Sequence, residues 1–209
     1  MQEANDALPD ILGALMPKGS VCNTLWDCLH DGEIIACKED RIARTVELEI
    51  LVSHLPYRER ELRISVLLTD VTAALLQISE PYPINDIDNT KLDRHERSAA
   101  IDAYWAKARI DSIRWQEFQQ SVDDSPLDIY DADLVTAPGK TGLRITGGLS
   151  GDPLHERYCE LNLIGTELKI TRNTGAILTV DALREMGREY WDAFSRNGPA
   201  KATGGEPAQ

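Results

Sequence analysis

The sequence predicts an α+β fold, mostly antiparallel β, with about eight strands in a sandwich or curved sheet made from two similar four-strand units, plus two main helices. Three observations carry this. Residues 29–52 read LHDGEIIACKEDRIARTVELEILV and residues 127–147 read LDIYDADLVTAPGKTGLRITG. Both run from an acidic opener through a short strand and a polar turn to an alternating strand. Each copy is followed by a loop and two more runs with apolar residues at every second position, the period of a strand buried on one face. The stretch 180–195 instead sets Leu183, Met186, Tyr190, Trp191 and Phe194 at helical spacing.

The expected organisation is a leader with a short helix (1–24), a single globular domain (25–195) and a disordered tail (196–209) whose Pro/Gly/Ala composition cannot build a core. In the leader, 10–16 is helix-compatible, Leu8, Ile11, Leu12 and Leu15 form an apolar stripe, and Pro17 ends it.

The first strand unit spans 29–79. Ile34 to Cys37 make a short strand, 40–44 a polar turn, and Val46, Leu48, Ile50 and Val52 alternate with polar residues. A loop leads to Leu62, Ile64, Val66 and Leu68. A tight turn at Thr69-Asp70 then returns a fourth strand over 71–78, completing an antiparallel meander.

A helical insert covers 88–120. Asn89 or Thr90 suits an N-cap for a helix running to Arg109, with Ala99, Ile101, Tyr104, Trp105 and Ala108 on one side. Over 110–122, Ile113, Trp115 and Phe118 fit either a strand leading into a turn or a second helical segment.

The second unit spans 127–172. Tyr130, Ala132 and Leu134 precede the turn 137–142, and Leu143 and Ile145 follow it in a strand weakened by Gly147-Gly148. Cys159, Leu161 and Leu163 alternate next, and Gly165-Thr166 turns into a strand carrying Leu168 and Ile170. Lining up 61–66 with 160–165 sets Leu62 against Leu161 and Ile64 against Leu163, and 31–34 matches 131–134. Thr179 caps the last helix, with Asp181 well placed in its first turn.

Composition narrows the functional classes. The net charge of -13, from 35 acidic and 22 basic side chains, opposes binding to nucleic acid or to an anionic membrane surface, both of which need a positive footprint. It suits a basic protein partner. No apolar run is long enough to span a bilayer, and MQEANDALPD lacks the basic and apolar parts of a secretory signal, so the expected location is cytoplasmic. Cys22, Cys28, Cys37 and Cys159 show no paired spacing and read as buried free thiols. No cofactor or metal motif is present, so none is expected.

Four residues are candidates for binding. His30-Asp31 sets an imidazole beside a carboxylate, as a general base or a ligand pair requires. Adjacent residues of a strand point to opposite faces, however, so adjacency alone does not bring them together. His54 and His155 fall in corresponding loops of the two units, His155 with Asp152 and Glu156 nearby. Gly139-Lys140-Thr141 lacks the upstream glycine and the following helix of a phosphate-binding loop. Trp105, Trp115, Tyr190, Trp191 and Phe194 either line a groove or fill the core.

The phrase Leu29-His30-Asp31-Gly32-Glu33-Ile34, the charged turn, the TVELEI strand and the later LLTDV strand resemble a loose pattern in small uncharacterised bacterial proteins. Some of those are grouped with the immunity proteins of bacterial polymorphic toxin systems. The pattern is strand grammar and brings no catalytic residue; what it implies is a bacterial cytosolic binding protein. The expectation is therefore a non-enzymatic acidic protein-binding module, with an immunity-like role as its sharpest form. The alternative is a metal- or small-ligand-binding protein or hydrolase, with His30, Asp31, His54 and His155 gathered between the strand units.

Overall fold

The computed structural model describes residues 13, 15–55, 62–83, 87, 91–113, 115–149 and 157–197. The first half contributes β1 (Val21–Thr24), α1 (Trp26–Leu29), β2 (Glu33–Asp40), β3 (Thr45–Val52), β4 (Leu62–Thr69) and β5 (Ala73–Ser79). Then come α2 (Arg94–Trp105), β6 (Ile110–Ile113) and α3 (Trp115–Asp124). The second half contributes β7 (Leu127–Ala137), β8 (Lys140–Leu149), β9 (Arg157–Gly165), β10 (Glu167–Arg172), β11 (Ile177–Leu178) and α4 (Val180–Asn197).

The protein is α+β with a predominantly antiparallel sheet, but the strand count differs from the expected eight. Among the described residues eleven strands share one sheet in the order β11-β10-β4-β3-β2-β7-β8-β9-β5-β6, and β1 pairs with the edge of β7. The three additions, β1, β6 and β11, have four, four and two residues, too few to display a period in the sequence.

The expected meanders also break after their third strand. β4 does not turn back onto β5; it pairs with β10, while β5 pairs with β9. The bends at Asp70 and Thr166 nest together. Thr72 N–H donates to the Ile164 carbonyl at 2.8 Å, Thr166 N–H to the Thr69 carbonyl at 3.0 Å, and the Thr166 hydroxyl to Asp70 Oδ2 at 3.1 Å. The two ladders are thus successive stretches of one bent ribbon, and the sheet curls back on itself around one core.

Alternation fills that core: Val46, Leu48, Ile50 and Val52 on β3 are buried, as are Leu62, Ile64, Val66 and Leu68 on β4. β2 departs from strict alternation, because a bulge between Ile34 and Ala36 turns both Ile34 and Cys37 inward. Gly147 does not end β8: it lets the strand pass where an added Cβ would lie 2.0 Å from the Asp128 carbonyl oxygen.

The stretch after Arg109 that fits either strand or helix holds both in turn, strand β6 and then helix α3. From α3, Trp115, Phe118 and Val122 enter the core, and Gln119 Nε2 donates to the Cys37 carbonyl at 3.0 Å. Helix α2 is shorter than expected and starts at a different cap. Asp93 accepts from the His95 and Glu96 backbone N–H groups, and the Glu96 side chain accepts from Asp93 N–H, a reciprocal capping box. The expected caps, Asn89 and Thr90, lie outside the described residues, and none of the residues of α2 is buried.

Thr179 caps α4 as expected, its hydroxyl accepting from Ala182 N–H at 3.1 Å. In the leader, Leu8, Ile11 and Leu12 lie outside the described residues and Leu15 is exposed; Met16 packs with Ile164 on the outer side of the sheet. No helix among the described residues is long and apolar enough to cross a membrane.

Candidate functional site

Two short structures set up the site. Helix α1 ends at Leu29, and the chain then turns through His30, Asp31 and Gly32 into β2. Asp31 sits at φ 64°, a left-handed conformation uncommon outside glycine and asparagine-like residues. Its N–H donates to the Ile129 carbonyl and Ile129 N–H donates back to Gly32, which ties the turn to β7.

This turn explains how His30 and Asp31 meet. Strand geometry would send them to opposite faces, but they are not in a strand. The positive φ at Asp31 carries its carboxylate back, and Oδ1 lies 3.5 Å from His30 Nε2. The other ring nitrogen, Nδ1, is 2.8 Å from the Tyr130 carbonyl and so carries hydrogen. The ring is thereby oriented from both sides.

Helix α4 supplies the second wall. Gly187 lets it approach α1 so closely that an added Cβ would stand 2.3 Å from the Asp27 carbonyl oxygen. One turn later Trp191 Nε1 donates to that same oxygen at 2.9 Å. The result is an aromatic stack: His30 on Trp26 with centroids 4.6 Å apart, and Trp26 on Trp191 at 5.2 Å. Phe194 extends it, 5.8 Å from Trp191 and 55% exposed.

His54, in the turn after β3, joins from the opposite side, 4.9 Å from Tyr190 and 6.1 Å from Trp191. Neither of its buried ring nitrogens has a hydrogen-bond partner. Burial holds its pKa below the usual imidazole value; the Asp31 carboxylate opposes that shift and His30 reinforces it. The site therefore pairs a neutral imidazole with a hydrogen-bonded one beside an exposed carboxylate.

Three of the four candidate residues thus come together, at one end of the curled sheet. His155, with Asp152 and Glu156, lies outside the described residues. Among the described residues no group of three or more His, Cys, Asp or Glu side chains is disposed to hold a metal ion. Cys28, Cys37 and Cys159 are buried free thiols; burial pushes Cys28 and Cys37 up to about 12 and Cys159 upward as well, so all three remain unreactive thiols. Cys22 departs from the expectation and is exposed on β1.

The aromatic set divides. Trp115 belongs to the core, Trp105 is half-buried against Tyr158, and Tyr190, Trp191 and Phe194 line the site. Trp26 was missed in the sequence because α1 has only four residues, too short for periodicity to reveal. No family model matches this chain, and no curated protein or solved structure matches it.

Proposed function

We propose that this chain is a non-enzymatic bacterial cytosolic protein that binds a basic protein partner through the end formed by α1, the His30–Gly32 turn and α4. The observation that carries the reading is the half-open aromatic ladder Trp26, Trp191 and Phe194 beside Asp31, whose side chain is 67% exposed. Tryptophan and tyrosine anchors contribute disproportionately to protein interfaces, and an aromatic face next to a carboxylate suits arginine or lysine. The net charge of -13 adds steering toward a basic surface. An immunity-like role, masking a basic toxin, is the most specific form of this proposal.

The same proposal includes an internal duplication of two four-strand units, β2–β5 and β7–β10. Exchanging β2 with β7, β3 with β8, β4 with β9 and β5 with β10 maps the ladders among them onto one another. Subtracting Ile34 from Ile129, Thr45 from Lys140 and Leu62 from Arg157 leaves 95 each time, and both units carry a bulge after the isoleucine. This offset replaces the alignment of Leu62 with Leu161 by one of Val66 with Leu161. It sets His30, Asp31 and His54 against Ser125, Pro126 and Leu149, so the site belongs to one unit alone.

Recovery of partners from the native host tests the reading. Wild-type bait retains a basic protein at low salt and releases it as salt rises, whereas Trp191→Ala/Phe194→Ala bait fails to retain it. Equal recovery by the double variant overturns the assignment of this face.

A second reading, a metal or small-ligand site, draws on the unpartnered nitrogens of His54 beside His30 and Asp31, although these three side chains are not by themselves disposed as a three-ligand metal set. Neutral imidazole is the metal-binding form. Calorimetric titration with zinc decides it: saturable heat lost in His54→Gln supports this reading, and its absence removes it.

A further inference from the structure

The outer face of β2, β3 and β4 holds a cavity of about 100 Å³. Val46, Leu48 and Ile50 are buried, so Glu47 and Glu49 between them stand on the opposite side of β3. Cross-strand pairing sets Lys38 opposite Glu47, and sets Ala36 and Ser65 on either side of Glu49. Ala36 and Ser65 are small among long neighbours, which leaves a hollow bounded by Lys38, Glu47, Glu49 and, just past β10, Asn173. By the measure in which a cavity of roughly 150 Å³ holds benzene, this one has room for a ligand of about four or five heavy atoms.

The charges around the hollow are engaged unevenly. Ser65 Oγ donates to Glu47 Oε1 at 2.5 Å, and an Arg63 guanidinium nitrogen lies 3.5 Å from Glu49 Oε1. Both carboxylates are thus drawn toward β4. Opposite charges directly across two strands ordinarily pair, and Lys38 faces Glu47 in that way. Yet among the described residues no hydrogen bond or ion pair holds the Lys38 ammonium, because Glu47 has turned to Ser65 instead.

A hollow with an unengaged cation on one wall and two carboxylates on another complements a molecule that carries both charges. A simple anion would meet Lys38 but also face the glutamates. A simple cation would meet the glutamates but also face Lys38 and Arg63. Only a ligand with its two charges a few bonds apart satisfies both walls at once.

We propose that this hollow binds a small zwitterionic α-amino acid, with its carboxylate on Lys38 and its ammonium on Glu47 and Glu49. Glycine, at about five heavy atoms, matches the volume. Asn173 adds an amide that can donate to the carboxylate or accept from the ammonium. Charges at a partly open surface are screened, so the dissociation constant lies at about 1 mM. None of these residues belongs to α1, the His30–Gly32 turn or α4, and the site stands whether or not that end binds a protein.

Glycine is the probe, with acetate and methylammonium as controls that carry one charge each, read by the Ala36 and Ser65 amide resonances of the full chain. Wild type shifts both resonances saturably with glycine, and neither control does so at the same concentrations. Lys38→Gln, at an exposed side chain, weakens glycine binding about threefold to tenfold. Ala36→Leu fills the hollow and abolishes binding while circular dichroism stays that of wild type. No saturable shift, an equal response to acetate or to methylammonium, or glycine affinity unaltered in Lys38→Gln or in folded Ala36→Leu overturns the proposal. Lys38→Gln alone decides it if Ala36→Leu fails to fold.

Discussion

Gly187 on α4 lies so close to Asp27 on α1 that their backbones touch: a methyl group at Gly187 would stand 2.3 Å from the Asp27 carbonyl oxygen. Trp191, one turn on, hydrogen-bonds that same oxygen. The aromatic ladder at the surface therefore depends on a contact between two backbones, which cannot be relieved by a side-chain rotation.

Gly187→Ala must push the helices apart. The expected cost is about 1–3 kcal/mol, as for other overpacked contacts. Thermal denaturation reads the stability, and the Trp191 indole resonance reads the lost bond to Asp27. An unchanged melting temperature with an unchanged indole signal refutes the close contact.

Asp31→Gly separates the site's conformation from its charge. Glycine adopts φ 64° without strain, so the fold should be equally stable or more stable by up to about 1 kcal/mol. Partner retention should nevertheless fall, because the exposed carboxylate beside His30 is gone. Retention at the wild-type level in this variant would remove Asp31 from the interface.

The pH dependence follows from His54. Its folded pKa lies below the ordinary 6.5, so the unfolded chain takes up the proton first. The contribution is fully favourable above pH 6.5, falls as pH drops from 6.5 through the folded value, and levels off beneath it. Denaturant melts across this range should show a smaller fall for His54→Gln than for wild type. Parallel curves would mean that His54 is not shielded.

Phe118 is wholly buried where α3 enters the core. Phe118→Ala should destabilise by about 3–5 kcal/mol, measured by urea unfolding. A loss under about 1 kcal/mol would place α3 outside the folded core.

The strand-rich, antiparallel character was legible because β3 and β4 each bury alternate residues, a pattern written directly in Val46–Val52 and Leu62–Leu68. The pairing was not. Thr69-Asp70 and Gly165-Thr166 look like hairpin turns in isolation, and only their mutual hydrogen bonds make them nested bends in one ribbon. At the site, His30, Asp31 and His54 stood out by chemical type, but their convergence depends on a left-handed φ at Asp31 and on the α1–α4 crossing, both tertiary in origin. Trp26 carried no local signal, and the polar row of Glu160, Asn162 and Gln77 looked like the solvated side of ordinary strands. Solvation is what the third dimension removed.

The four tryptophans allow the most direct test of where a basic partner docks. Indole resonances of the full chain are followed while an arginine-rich peptide is titrated in. The account predicts that Trp26 and Trp191 move together and saturably, that Trp115 in the core stays still, and that added salt reverses the shifts. Movement confined to Trp105, or shifts in none of the four despite measurable binding, would contradict the assignment of the α1–α4 end as the contact face.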